Sequence, residues 1–209
     1  NIRHNGSTTI ISGRRMGNRK LILVSANRHA EPYPVYPLGV SYLSSWLARE
    51  MPDLEIYIFD FMADSYDDYT KKLKEICPDY AGISFRNIDD VNIYKKESFI
   101  NHYKKIILLT RENSNAKIIV GGSGFSIYPK LLFETLVPDF GIYGEGESSL
   151  QQLISALDEG VDYTDIEGLV YMKDGLVVAI RRDAHFTTPV LNFDDKLTDY
   201  YWQNSGMLN

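Results

Sequence analysis

The chain has 209 residues, of which 44% are hydrophobic and 24% charged, the composition of an ordinary globular protein with room for one domain and an attached piece. The net charge of -6 argues against a nucleic-acid partner, because phosphate binding needs clustered Lys and Arg. No apolar run approaches the roughly 20 residues of a membrane helix, so no membrane partner is expected. The one cysteine, Cys77, excludes an internal disulfide and a cysteine-only metal site, and it fits a cytoplasmic location.

In chain order, the polar and basic segment 1–19 comes first. This segment lacks the apolar core that a secretory signal peptide has. We expect it to be a disordered arm or a remnant of expression cloning. Short apolar runs, typical of strands buried on both faces, then occur at 21–25, 54–60, 80–84, 117–120 and 140–143. Helical spacing of apolar residues falls between and after them, at 38–51, 66–76, 99–109, 129–136 and 146–157, with Asp64 as a candidate cap for the second helix.

Alternation of strands and helices over residues 20–158 predicts an α/β domain with a doubly wound, five-stranded parallel sheet. We expect the flavodoxin-like, Rossmann-like strand order 2-1-3-4-5, since a central first strand satisfies right-handed crossovers. From residue 159 the character changes. Two alternating runs joined by Asp174-Gly175 predict a β-hairpin within 159–183, and the polar, irregular residues 184–209 are predicted to be a linker.

Four loops follow strands at the carboxyl edge of the predicted sheet, which is where open α/β sheets bind ligands. The first loop contains three prolines and ends at Gly39, where the backbone can come close to a ligand. The loop after the third strand runs from Ser84 to Asn87, a small polar residue followed by Arg86 and an amide. A helix cap with a surface salt bridge is the other interpretation of that loop.

The two remaining loops are rich in glycine. The fourth loop, named like the others after the strand that it follows, runs from Gly121 to Gly124 and has three glycines in four residues. It matches neither the phosphate loop of nucleotide hydrolases nor GxGxxG. The fifth loop, which follows the fifth strand, contains Glu145 between two glycines and then Glu147 in the first turn of a helix. The helix dipole gives Glu147 a structural reason to be there, whereas Glu145 has less of one.

Taken in order, these segments resemble the N-terminal cobalamin-binding domain of cobalamin-dependent radical S-adenosylmethionine (SAM) enzymes over about residues 20–209. The matching segments are Pro37–Gly39, Gly82–Ser84, Val120–Gly122 and Gly144–Glu147, with 166–171 similar to that family's exit hairpin. The resemblance implies that the corrin ring lies over the carboxyl edge and that the nucleotide tail runs between sheet and helices, where any Cβ at the glycines would occupy its channel. The implied cofactor-binding residues are Pro37, Leu38, Gly39, Ser84, Phe85, Arg86, Asn87, Gly121, Gly122, Ser123, Gly124, Tyr143, Gly144, Glu145, Gly146 and Glu147, with no catalytic residue and no metal ligand.

The sequence departs from related cobalamin domains in one motif. The DxHxxG motif that supplies a histidine to cobalt is absent, and the surroundings of His29 do not fit it. The resemblance therefore implies base-off cobalamin without a histidine ligand, with Arg86 or Asn87 beneath the cobalt.

The resemblance also implies parts that this chain does not contain. The family's CxxxCxxC motif holds a four-iron iron–sulfur cluster that cleaves S-adenosylmethionine, and one cysteine cannot hold that cluster. We therefore expect the chain not to be an enzyme by itself. Its partners would be cobalamin and a radical SAM barrel domain of the same parent chain, and the parent is expected to methylate an unactivated carbon or phosphorus.

Three other interpretations stay open from the sequence. A free-standing corrinoid carrier or sensor module would use the same loops without a barrel. A flavodoxin-like binding domain for another nucleotide is a further alternative, although the first loop lacks the Ser, Thr and Gly content that flavin mononucleotide binding favours. A plain interaction domain without a ligand is the third.

Overall fold

A computed structural model describes residues 18–30, 33–87, 99–183 and 191–205. Its strands form one sheet in the order β2-β1-β3-β4-β5-β6-β7. The first five are parallel, whereas β6 is antiparallel to β5 and β7 to β6. The strands are β1 (Arg19–Ser25), β2 (Leu54–Asp60), β3 (Tyr80–Ser84), β4 (Lys117–Gly121), β5 (Phe140–Ile142), β6 (Leu169–Lys173) and β7 (Leu176–Ala179). The predicted order 2-1-3-4-5 is confirmed, and the hairpin extends the same sheet to seven strands.

Seven helices are present in the described part of the chain: α1 (Leu38–Glu50), α2 (Tyr66–Ile76), α3 (Ile100–Asn113), α4 (Ser123–Ile127), α5 (Pro129–Leu136), α6 (Glu147–Glu159) and α7 (Asp195–Asn204). The cap of α2 is Ser65, not Asp64 as predicted: the Ser65 hydroxyl accepts from the Asp68 N–H, and the Asp68 carboxylate accepts from the Ser65 N–H. Ser65 directly precedes the first helical residue, which is where a capping side chain can reach the free backbone N–H groups.

Two further helices differ from the sequence prediction. The short helix α4 lies in the glycine-rich segment, where low helix propensity predicted only a loop. Helix α7 lies in the segment predicted to be an irregular linker. Its Tyr200 hydroxyl donates to the Met62 carbonyl at 2.8 Å, so α7 packs against the domain. Residues 1–17, 184–190 and 206–209, which include most of the predicted arm, are outside the described residues.

The sheet separates two cores. The filled face, as we call it, contains Val24 and Ile83 with residues of α2, α3 and α5 packed on it. The cavity face contains Leu23 and Ile119 and is covered by α1 and α6. This alternation follows from the two-residue period of a strand.

The turn between β6 and β7 consists of the predicted Asp-Gly pair. Asp174 and Gly175 both have positive φ, 51° and 78°, as a two-residue turn between antiparallel strands requires. Of the helices described, none has the length and apolar character needed to cross a membrane.

Candidate functional site

A row of small and polar residues crosses the cavity face where the parallel strands end. Asp60 of β2 pairs with Ser25 of β1, Ser25 with Ser84 of β3, and Ser84 with Gly121 of β4. Neighbours in register on parallel strands point to the same face, so these four positions lie side by side. Their short side chains leave space between the sheet edge and the helices α1 and α6.

That space is a cavity of about 380 Å³, within the range of small-molecule sites. Its wall includes Leu23, Gly82 and Ile119, which lie two residues before Ser25, Ser84 and Gly121 on the same face. A Cβ at Gly82 would lie 2.9 Å from the Leu23 Cδ2 atom. A side chain at position 82 would therefore press on Leu23 in the cavity wall.

The cavity brings together residues from all four loops that the sequence singled out. Of the predicted binding residues, those that line it are Pro37, Leu38, Gly39, Ser84, Arg86, Gly121, Gly122, Ser123, Gly144, Glu145, Gly146 and Glu147. Pro37 of the first loop and glycines of the fourth and fifth loops thus meet at one place.

Phe85, Asn87 and Tyr143 do not line the cavity. Phe85 is fully buried in the filled face and stacks on Tyr103 with ring centroids 4.1 Å apart. The Asn87 carbonyl accepts a hydrogen bond from the Tyr103 hydroxyl. The Tyr143 hydroxyl donates to the Ile180 carbonyl at 2.7 Å. These three residues hold loops and hairpin in place and have no contact with the cavity.

The glycines of the fourth loop have a structural reason that differs from the expected one. Gly122 has a φ of +91°, and a Cβ there would lie 2.6 Å from the Phe85 carbonyl oxygen. A Cβ at Gly124, which does not line the cavity, would lie 3.1 Å from the same atom. Both glycines let the turn after β4 pack on the loop after β3, so an added Cβ would meet protein backbone. The Ser123 hydroxyl, expected to bind the cofactor, donates to the Arg86 carbonyl at 3.0 Å.

Arg182 holds the fifth loop. Its guanidinium donates to the Glu145 carbonyl and, at 3.2 Å, to the Ser149 hydroxyl. A 3.7 Å ion pair joins it to the Glu145 carboxylate. Glu145 therefore has the structural partner that the sequence did not reveal, because Arg182 follows the hairpin 37 residues further along the chain.

Glu147 has a buried side-chain oxygen, Oε2, without a hydrogen-bond partner in the described part of the chain. A buried oxygen without a partner is costly, and a ligand N–H or O–H would satisfy it. Glu147 is also the first residue of α6, where the helix dipole stabilises a carboxylate.

Several cavity residues were missed from the sequence. Ser25 ends the first strand and Asn27 follows it, and Tyr36, Leu43 and Leu150 come from the first loop, α1 and α6. The two-residue alternation of β1 would have placed Ser25 on the same face as Leu23. The Asn27 amide bonds the His29 backbone, whereas His29 itself is not part of the lining.

Asp60 is the charged member of this row and is 1% exposed. Burial raises the pKa of its carboxyl group, and hydrogen bonds from Tyr201, Ser25 and the Met62 N–H oppose that rise. Within the described ranges, no three His, Cys, Asp or Glu side chains come together as a metal site.

Most residues that line this cavity lie in a segment that matches a known protein family. The B12 binding domain family matches residues 26–154. Tryptophan 2-C-methyltransferase from Streptomyces laurentii is 29% identical over 143 residues, 66% of this chain and 23% of that protein. Cytidylyl-2-hydroxyethylphosphonate methyltransferase from Streptomyces wedmorensis is 27% identical over 172 residues, 72% of this chain and 30% of that protein.

Solved structures agree with these matches. The radical SAM methyltransferase TsrM from Kitasatospora setae, solved with cobalamin and a [4Fe-4S] cluster, superposes with a TM-score of 0.70 at 28% identity, covering 82% of this chain and 30% of that one. The cobalamin-dependent SAM radical enzyme OxsB, solved with aqua-cobalamin and S-adenosylmethionine, shares the fold at a TM-score of 0.64 and 22% identity, covering 80% and 22%. The chain thus spans less than a third of the length of each of these proteins.

Proposed function

This chain belongs to the B12-binding domain family, and we propose that it holds cobalamin for a larger radical SAM methyltransferase that acts on an unactivated carbon or phosphorus. The similar proteins support the proposal, because two are methyltransferases by name and a third was solved with cobalamin and a [4Fe-4S] cluster. The cluster and the barrel that holds it would belong to the rest of the parent chain, since Cys77 is the only cysteine here. We place the parent protein in the cytoplasm, where an exposed free thiol such as Cys77 stays reduced.

The observation that carries the proposal is the fit of the cavity to the narrow part of such a cofactor. The row of Ser25, Ser84 and Gly121 and the absence of a side chain at Gly82 leave a deep slot between sheet and helices. We propose that this slot takes the nucleotide tail and that the ring lies at the open edge. Exposed Leu38 provides apolar surface at that edge.

The polar atoms of the wall suit the same cofactor. Cobalamin carries amide N–H groups and a ribose hydroxyl, and the buried Glu147 Oε2 atom would accept from one of them. Bound cobalamin supplies a cobalt centre that can carry a methyl group. The residues of this chain bind and orient the cofactor and exclude water from its tail.

We further propose that the cobalamin is base-off and that no histidine of this domain coordinates it. Of the two residues suggested for the position beneath the cobalt, Arg86 lines the cavity and Asn87 does not. A guanidinium has no lone pair to give to a metal, so Arg86 would favour low coordination.

The test of this point is Arg86→Ala, with Arg28→Ala as the matched control. Arg28 is also an exposed arginine after a strand, but it lies over the Tyr66 ring and not on the cavity. We expect Arg86→Ala to change the visible spectrum of bound cobalamin and to weaken its binding several-fold, whereas Arg28→Ala should change neither. An unchanged spectrum and affinity in Arg86→Ala would contradict the assignment.

The main experiment is direct. Purified protein is mixed with hydroxocobalamin, passed through gel filtration, and its visible spectrum recorded. We expect corrin absorbance to elute with the protein in a one-to-one ratio, and elution without it would overturn the proposal. The parent reaction is tested separately on the full-length protein, by transfer of labelled methyl from S-adenosylmethionine.

A further inference from the structure

We propose that Arg182 is a positioning residue of the cofactor site. It fixes the turn at the start of α6, so that the buried Glu147 carboxylate is in place to accept a hydrogen bond from bound cobalamin. This inference rests on the proposed function and adds to it a residue that does not itself line the cavity. Arg182 follows β7 and lies outside residues 26–154, which match the family.

One nitrogen of the Arg182 guanidinium bridges the turn that contains Glu147. This Nη1 atom donates to the Glu145 carbonyl, two residues before Glu147, and at 3.2 Å to the Ser149 hydroxyl, two residues after it. Glu147 is the first residue of α6, so the chain is tied to the same group on both sides of the helix start. Hydrogen bonds from a charged donor are stronger than those between neutral groups. Neither Arg182 nor Ser149 lines the cavity, so the bridge holds the turn from outside.

Two glycines make room for the Arg182 side chain. Gly144 and Gly168 have positive φ values of 79° and 74°. A Cβ at Gly144 would lie 2.9 Å from the Arg182 Cδ atom, and a Cβ at Gly168 would lie 3.2 Å from Nη1. The side chain is only 16% exposed. The guanidinium therefore has a position defined by the backbone around it, unlike an arginine on an open surface.

The partners of Arg182 are themselves held. Ser149 is 3% exposed, and its hydroxyl donates to the Glu167 carbonyl at 2.7 Å, which leaves its oxygen to accept from Arg182. The ion pair with the Glu145 carboxylate at 3.7 Å offsets part of the cost of burying the guanidinium. The segments on both sides of the hairpin thus hold the start of α6. A loop that is ordered before the ligand arrives does not have to be ordered by it, which favours binding.

The position of this turn matters because Glu147 needs a partner. Its Oε2 atom is buried and has none among the described residues. A hydrogen bond needs its two heavy atoms within about 3.2 Å, so a turn that shifts by ~1 Å no longer makes it. Loss of Arg182 should therefore weaken cofactor binding although Arg182 does not line the cavity.

The first test compares two neighbouring arginines. Arg182→Ala removes the bridge, whereas Arg181→Ala removes the same charge from a side chain that is 92% exposed and paired only with Asp183, at 3.6 Å, among the described residues. We expect Arg182→Ala to weaken hydroxocobalamin binding about tenfold, the value of one hydrogen bond to a charged group. Arg181→Ala should leave the affinity unchanged. Equal affinities of the two folded variants would overturn the proposal.

A milder variant keeps this test usable if Arg182→Ala does not fold. Arg182→Lys retains the charge but not the planar fork that reaches two oxygens at once. We expect a loss of affinity of about threefold, less than the loss in Arg182→Ala. Affinity equal to wild type in Arg182→Lys and in Arg182→Ala alike would show that the bridge does not act on the site.

The second test is a double-mutant cycle with Glu147→Ala. If Arg182 acts by placing Glu147, Arg182→Ala should weaken binding little further once the Glu147 carboxylate is gone. A role in stability alone would not produce this coupling. Full multiplication of the two single effects in the double variant would show independent action and would overturn the proposal.

A third readout needs no cofactor. Amide hydrogen exchange over residues 143–150 is compared in Arg182→Ala and Arg181→Ala. We expect faster exchange in Arg182→Ala, because the turn opens locally when its bridge is lost. Equal exchange in the two variants would overturn the claim that Arg182 holds the turn. Wild-type protein that retains no cobalamin overturns the proposed function instead, so the two failures are distinguishable.

Discussion

The two faces of the sheet differ most at its carboxyl edge. On the filled face, Val24, Ile83 and Phe85 are fully buried among side chains of α2, α3 and α5. On the cavity face, the neighbouring residues Ser25 and Ser84 leave about 380 Å³ open. The same strands thus contribute a packed core with one set of alternate residues and a ligand site with the other.

This difference shows where the site can be changed without loss of the fold. On the cavity face, bulk is missing at the last inward position of β1, β3 and β4, and in β3 also at Gly82 before it. Leu21 and Tyr80, further from the edge, are buried there as in any core. Stability should therefore depend mainly on the filled face, and cofactor affinity on the cavity face. Substitutions on the two faces should separate these two properties.

The largest effect is expected on the filled face. Phe85→Ala removes a fully buried ring stacked on Tyr103 and should lower the free energy of unfolding by about 3–5 kcal/mol. Ser84→Ala, its neighbour on the other face, should cost less than about 1.5 kcal/mol. Urea unfolding measures both changes, and Phe85→Leu serves as a milder variant if Phe85→Ala does not fold.

For cobalamin affinity, Ser84→Ala should have a larger effect than a substitution of Phe85. The folded fraction of Phe85→Leu should bind hydroxocobalamin as wild type does, since Phe85 does not reach the cavity. A loss of affinity larger than that of Ser84→Ala would mean that Phe85 acts on the cofactor after all.

On the cavity face, the expected effect is on binding. Gly82→Val places a branched side chain against Leu23 in the cavity wall and should weaken hydroxocobalamin binding about a hundredfold, or ~3 kcal/mol. The matched control is Ala81→Val, one residue earlier and on the filled face. Ala81→Val should lower the free energy of unfolding by about 1–3 kcal/mol through overpacking and leave the affinity of the folded protein unchanged.

Titration of the visible spectrum measures binding, and urea unfolding measures stability. If Gly82→Val and Ala81→Val weaken cobalamin binding equally, the loss does not come from the volume of the side chain at position 82. The assignment of affinity to the cavity face and stability to the filled face would then be wrong.

Much of this arrangement follows from local sequence. Apolar runs long enough for one strand each predicted the five parallel strands, and a central first strand was the expected order because it satisfies right-handed crossovers. The loops after those strands contained most of the cavity lining, because parallel strands all end at one edge. Strict alternation after Ser84 would also have assigned Phe85 to the opposite face.

The remaining features depend on contacts between distant parts of the chain. Arg182 reaches Glu145 across 37 residues, and Tyr201 reaches Asp60 across 141. Helix α4 forms although its sequence has poor helix propensity, and Gly124 within it lets the helix lie against the loop after β3. No local pattern in the sequence predicts such pairings. The residues that hold the loops of the site in place were therefore missed more often than the residues that line its cavity.

The smallest expected effect is a loss of stability at acidic pH, and it again arises on the filled face. His102 of α3 contacts Phe61 there, its Nε2 atom lies 2.9 Å from the Ala26 carbonyl, and its Nδ1 atom lies 2.6 Å from the Tyr66 hydroxyl. A carbonyl only accepts, so Nε2 carries the hydrogen and Nδ1 accepts from Tyr66. Burial, with the nearby charges of Arg28 and Lys105, lowers the pKa of His102 from 6.5 to about 4.

The folded protein therefore binds fewer protons at this site than the unfolded chain between pH 6.5 and 4. The stability contributed by neutral His102 is complete above pH 6.5 and is lost as pH falls toward 4. A fully buried ring would lose about 3 kcal/mol, at about 1.4 kcal/mol per pKa unit, and solvent screening of this half-buried ring reduces the loss to about 1–2 kcal/mol. His102→Gln preserves a donor and an acceptor without a titrating group. The difference in free energy of unfolding between wild type and His102→Gln should thus shrink by that amount as pH falls over this range. Parallel curves of this free energy against pH would show that His102 titrates alike in the folded and unfolded states.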